Sequence, residues 1–140
     1  MLINIGQGLN DTRFGIEEAQ LQQQIGAPDY TEAEHGDRLL FYNELRSVFW
    51  FSDSRLHWIQ CSHPGSVLFG QTIFRVPKKK VLELVSEMSQ NQPDEQRYSS
   101  MESVAFDDLC LELQFEFGTL ETVCFGNQFD GNDEPIWPKG

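Results

Sequence analysis

Apolar and polar positions recur in the same order along two separate stretches of this chain. Aligned from Leu45 and from Leu109, LRSVFWFSDSRLHWIQ and LCLELQFEFGTLETVC set Leu45 against Leu109, Phe49 against Leu113, Phe51 against Phe115, Leu56 against Leu120 and Ile59 against Val123. Upstream the match resumes at an offset of 60 residues instead of 64, with Phe14, Ile16, Leu21 and Ile25 against Phe74, Val76, Val81 and Val85. Self-similarity at a fixed spacing marks one structural unit written twice. Within each unit the period of the pattern changes, and the change predicts the elements. Ile16, Leu21 and Ile25 among Glu and Gln predict a helix over 16–25, ended by Gly26 and Pro28. Pro77 at a first helical position, followed by Val81, Leu84, Val85 and Met88 at i, i+3, i+4 and i+7, predicts a second. Strands are predicted over 38–43, 45–51 and 56–61 in the first unit, and over 101–106, 110–117 and 120–125 in the second. Leu109, Leu111, Leu113, Phe115 and Phe117 alternate with Cys110, Glu112, Gln114 and Glu116, as a strand with one buried face does. TEAEHGD (31–37) and SQNQPDEQRYSS (89–100) read as polar connections, and the greater length of the second accounts for the slip of four.

A strand-like lead-in, a helix and three antiparallel strands cannot bury an apolar sheet face alone. The expected fold is therefore α+β: two tandem β-α-β-β-β repeats forming one antiparallel sheet with two helices on one face. All 140 residues make a single domain, with repeat one over 1–64, repeat two over 65–126 and a C-terminal tail over 127–140. The other sheet face is left for water, for a partner or for the tail, whose Phe129, Ile136 and Trp137 are large enough to cover it.

The segment FGIEEAQLQQQIGAPDY (14–30), a helix ending in an IGAPD turn before strands, resembles small lipoproteins that assist outer-membrane assembly and the tandem-repeat β-lactamase inhibitor proteins that share their fold. The resemblance implies a binding module of helix pairs and three-stranded sheets. A lipidated N-terminal Cys and a secretory signal, both part of that pattern, are missing, so a periplasmic location is not carried over.

Composition narrows the function. Net charge is −12, and residues 101–140 hold nine acids against one lysine. Such a chain repels phosphate backbones, which argues against nucleic acid and for a basic partner or plain solubility. Three cysteines without short paired spacing argue against a disulfide framework and for a reducing cytoplasm. No run reaches the ~20 apolar residues of a membrane helix.

Motif chemistry is thin. Cys61 and His63 stand two apart with His57 nearby, but zinc needs three or four ligands and no second pair exists. FDGNDE (129–134) lacks the register of a calcium loop. No P-loop, dinucleotide fingerprint or nucleophile elbow is present. No catalytic residue, metal or cofactor is expected. The repeats differ instead on their polar faces: Arg46, Val48 and Trp50 in the first, Glu112, Gln114 and Glu116 in the second, with Tyr42, Trp58 and His57 extending the aromatic side. Those residues, His57 as an extension only, make the expected partner-binding surface. Lys78, Lys79 and Lys80 fall in a first helical turn, where the dipole disfavours cations, and point to an anionic partner or to a carboxylate elsewhere in the fold.

The expectation is a non-catalytic, cytoplasmic protein-binding module, in the manner of an immunity protein or antitoxin that neutralises a basic toxin. The alternatives are a small-ligand binder or enzyme using a pocket between sheet and tail, with His57, Cys61 and His63 at its rim, and a homodimer through the open face.

Overall fold

Most of the predicted alternation is spent on eight strands that lie side by side. In the computed structural model, which describes residues 1–138, the fold is mixed α+β, mostly antiparallel sheet with two helices. Three short strands come first, β1 (Leu2–Asn4), β2 (Gly8–Leu9) and β3 (Thr12–Arg13), then helix α1 (Glu18–Ile25). Four strands follow: β4 (Tyr30–Glu34), β5 (Asp37–Tyr42), β6 (Ser47–Ser52) and β7 (Arg55–Cys61). After β8 (Val67–Leu68), β9 (Gln71–Thr72) and helix α2 (Lys78–Met88) come β10 (Asp94–Tyr98), β11 (Met101–Phe106), β12 (Leu111–Glu116) and β13 (Thr119–Gly126). A hairpin of β14 (Gln128–Phe129) and β15 (Pro135–Ile136) ends the described chain.

The large sheet runs β10-β11-β12-β13-β7-β6-β5-β4, antiparallel throughout. Its inward residues, among them Leu40, Phe49, Ile59, Leu113, Val123 and Phe125, enter one buried cluster with Leu21 of α1 and Val81 and Val85 of α2. Burying those aliphatic and aromatic side chains is the main favourable term, at about 1.5–3 kcal/mol each.

Two features depart from the sequence reading. Four strands, not three, follow each helix: the segments read as polar connections supply β4 and β10. Both are edge strands with every residue exposed, so neither face imposes an apolar alternation, and their charges keep an edge from pairing with another chain. The lead-ins form a separate five-stranded sheet, β3-β2-β1-β8-β9, in which β1 and β8 pair in parallel, so the strands do not all belong to one antiparallel sheet. Strands of two or three residues are too short to show a period. The helices stand close to their predicted bounds, with Pro77 as the residue before α2.

Candidate functional site

Registration of the strands decides what the side away from the helices presents. One row crosses all eight: Tyr30, Phe41, Val48, Gln60, Cys124, Glu112, Ala105 and Asp94 stand opposite one another in successive strands. Beside it run Glu32, Leu39, Trp50, Trp58 and Gly126. The β4–β7 end of this outer face is aromatic. Tyr30 stacks on Phe41 with centroids 4.2 Å apart, and Trp50 lies opposite Trp58 with its indole N–H donating to Gln60 Oε1 at 3.2 Å. A bulge between Trp50 and Phe51 leaves His57 without a partner in β6, and its Nε2 meets Asp37 Oδ2 at 3.1 Å.

The β10–β13 end is acidic and hydrogen-bonded. Glu112 accepts from Ser103 at 2.7 Å and from Gln114 at 3.0 Å, and Glu116 accepts from Ser100 at 3.2 Å. Outer positions across the sheet carry Glu32, Glu34, Asp37, Asp94, Glu112 and Glu116. Of the three arginines of these eight strands, two leave the outer face and the third, Arg55, is tied down at its edge. Arg38 and Arg97 take helix-facing positions and pair with Glu18 and Glu102, while Arg55 donates to the Gly15 carbonyl at 3.1 Å and lies over the Trp137 ring. The face thus combines half-buried aromatics with charge of one sign.

Between its two ends lies a groove of about 470 Å³, with Trp58 of β7 on one side, Ala105, Asp107 and Glu112 on the other, Gly126 and Leu111 within, and Phe129 at its mouth. Gly126 is required by close approach: a Cβ there would stand 2.6 Å from Trp58 Cε3. Cys124 is fully buried; burial first, then Glu112, pushes its thiol up to about 12. Cys110, which lines the groove, is raised by burial and by Asp107 and Asp108. Neither thiol is disposed to form a nucleophilic thiolate.

Of the residues expected at a binding surface, Val48, Trp50, Trp58, Glu112, Gln114 and Glu116 share the outer face, all half-buried. Tyr42 does not: it is buried under α1, its hydroxyl donating to the Gly26 carbonyl at 2.8 Å. Arg46 sits in the turn before β6 with φ +49, so strand parity does not govern where it lies. The three lysines are not placed alike. Lys78 binds Glu102 and lies 5.4 Å from the Phe115 centroid, leaving Lys79 and Lys80 exposed, so the carboxylate that offsets the helix dipole is internal. Cys61 faces the core, 3.3 Å from Ser66 Oγ, and His63 Nδ1 accepts from the Gly65 N–H at 3.0 Å; neither lines the groove. Among the described residues no cluster of three or more metal-ligating side chains occurs, and no helix is long and apolar enough to cross a membrane.

The tail does not lie over Val48 and Trp50. Trp137 packs on Gly15, 3.0 Å from where a Cβ would be, and on Arg55, while Phe129 and Ile136 stay exposed. Sequence reasoning missed Tyr30, Leu39 and Phe41 and the pairing of His57 with Asp37. Leu39 and Phe41 alternate with Leu40 and Tyr42 in β5, while Tyr30 lies in β4, whose residues are all exposed and carry no period.

No family model matches the chain, and no curated protein matches it either. Among solved structures that share the fold are two bacterial proteins. An extracellular protein containing an SCP domain from Bacillus anthracis str. Ames aligns with a TM-score of 0.54 at 11% identity, over 90% of this chain and 50% of that one. A cysteine-rich secretory protein from Staphylococcus aureus subsp. aureus Mu50 aligns with a TM-score of 0.52 at 12% identity, over 89% and 52%. The chain spans about half the length of each, and at such identity the likeness is one of fold. It corrects the resemblance of segment 14–30 to outer-membrane-assembly lipoproteins and β-lactamase inhibitor proteins. That segment's IGAPD turn has a local cause, since Gly26 at φ +90 ends α1 and its carbonyl is taken by Tyr42.

Proposed function

We propose that this chain is a non-catalytic protein-binding module whose partner presents a basic surface to the outer face of the large sheet. The observation that carries the reading is the charge of that face: its strand positions hold carboxylates beside an aromatic end, while Arg38 and Arg97 pair with Glu18 and Glu102 on the helix side and Arg55 turns to the Gly15 carbonyl. Half-buried tryptophans are the residue type that anchors interfaces, and one sign of charge steers and selects a partner. Three unpaired thiols suit a reducing, cytoplasmic setting. Toxin neutralisation is one form such capture takes.

The reading includes a doubled architecture. Supporting it, left-handed residues recur at the sequence offsets: Gly15 and Arg75 at 60, then His35 and Ser99, Arg46 and Cys110, Asp53 and Phe117, and Ser54 and Gly118 at 64. The bulges at Trp50/Phe51 and Gln114/Phe115 obey the same offset. Positive φ is costly outside glycine, so its recurrence is not a by-product of composition.

Capture from an extract of the native host tests the function. The wild-type chain is expected to retain a basic protein, released by salt, that a Trp50→Ala, Glu32→Lys, Glu116→Lys variant of nearly unchanged Tm no longer retains. Equal retention by the variant would sink the reading, as would no retained protein. Strict self-retention, seen as a dimer in sedimentation, would replace it with homodimerisation.

A further inference from the structure

The groove beside Trp58 is lined by three residues that differ in kind from those 64 positions earlier in the chain. At an offset of 64, Ala105 takes the place of Phe41, Gly126 that of Ser62, and Glu112 that of Val48. In the first half Phe41 stands opposite Val48 and stacks under Tyr30, filling the row. In the second, Ala105 stands opposite Glu112, the bulk is gone and a carboxylate has arrived. Gly126 lets the Trp58 indole lie against the backbone.

Chemically the groove is apolar walls with negative ends. Trp58 and the exposed Phe129 ring offer π faces. Glu112 is fixed by two donors, Ser103 Oγ and Gln114 Nε2, one on each oxygen, which leaves each oxygen a further lone pair. Asp107 enters the same space, and its side chain accepts no hydrogen bond from the described residues. The thiols Cys110 and neighbouring Cys124 are both pushed upward, hence neutral, and His57 already meets Asp37. Among the described residues no lysine or arginine lines the groove.

We propose that this groove receives one arginine side chain of the partner, its methylene stem on Ala105 and Gly126, its guanidinium between the Trp58 and Phe129 rings and against Glu112 and Asp107. Arginine fits better than lysine because a planar fork both stacks on an aromatic face and meets a carboxylate with two donors. The proposal rests on the protein-binding reading and names the chemistry of its central contact.

The test uses the intact chain and a defined probe, acetyl-Gly-Arg-Gly-amide, followed by amide chemical shifts, with the isosteric citrulline peptide as the uncharged control. Shifts centred on Trp58, Ala105, Glu112 and Gly126 are expected, with affinity for the arginine peptide about tenfold or more above citrulline, as loss of a charge-assisted pair implies. Glu112→Gln is expected to remove most of that preference. Ala105→Phe, which restores the residue of the first half, is expected to abolish binding, with its melting curve showing that the chain still folds. Equal affinity for both peptides, shifts centred elsewhere, or none at millimolar peptide would overturn the proposal. The two readings fail separately. Loss of partner capture in the face variant with no peptide binding removes only the groove assignment. Peptide binding without any captured protein removes the protein partner and leaves a cation-binding groove.

Discussion

Gly126 shows how much one missing methyl decides. Its backbone carries Trp58 so closely that a Cβ would intrude to 2.6 Å of the indole and 2.8 Å of the His57 carbonyl. Gly126→Ala is therefore expected to destabilise the fold by about 1–3 kcal/mol, the usual cost of overpacking, and to shift tryptophan emission as Trp58 is displaced. Urea unfolding followed by fluorescence measures both; unchanged emission and midpoint would show that the contact relaxes freely. Leu39 makes the opposite point. It lies opposite Trp50 on the outer face and is still only 3% exposed, so an outward-pointing position in a strand is not by itself a solvated one.

Between elements, the helix-to-sheet ion pairs are reversed from one half to the other. Glu18 of α1 binds Arg38 of β5 at 2.9 Å, and at the matching positions Lys78 of α2 binds Glu102 of β11. The cation in the first turn of α2, unfavourable beside the helix dipole, is thereby offset within the fold. Lys78, first by its hydrogen bond, and Arg97 hold the Glu102 carboxyl below its ordinary value of 4.5. A depressed folded pKa contributes stability that is present above the unfolded value and lost as pH falls through the folded one. Lys78→Glu is thus expected to lower Tm at neutral pH by opposing two carboxylates, and Glu102→Arg added to it is expected to recover most of the loss. The deficit of the single variant relative to wild type should shrink in scans taken below the range in which Glu102 titrates. A deficit that persists unchanged there, or a double variant no better than the single, would show that Lys78 acts through packing on Phe115 alone.

At the scale of the molecule, the small sheet adds Ile3, Leu9 and Leu68 to the buried cluster, while the outer face stays open. Trp137 sits on Gly15 and Arg55, so the tail is pinned at the start of β7 and leaves Val48 and Trp50 clear. Trp137→Ala is expected to cost about 1–3 kcal/mol, less than a fully buried tryptophan, to speed proteolysis of the β14–β15 hairpin, and to weaken partner capture because Phe129 of β14 lines the groove. Capture unchanged while the hairpin loses its protection would show that Phe129 takes no part in the contact.

Sequence alone determined the helices, six of the eight large-sheet strands and the alternation that sends Phe49, Leu113 and Phe115 inward, because burial against helices imposes a period that residues must obey. It also placed Trp50, Trp58, Glu112 and Glu116 on one side. Only the tertiary structure decided the rest. Edge strands β4 and β10 are wet on both faces and leave no period to read. The antiparallel pairing of β7 with β13 joins the aromatic and acidic halves into one face, and pairing partners far apart in sequence are set by registration and packing, not by local pattern. The same contact brings Trp58 onto Gly126 beside Ala105 and Glu112, making a groove from residues that no spacing along the chain links.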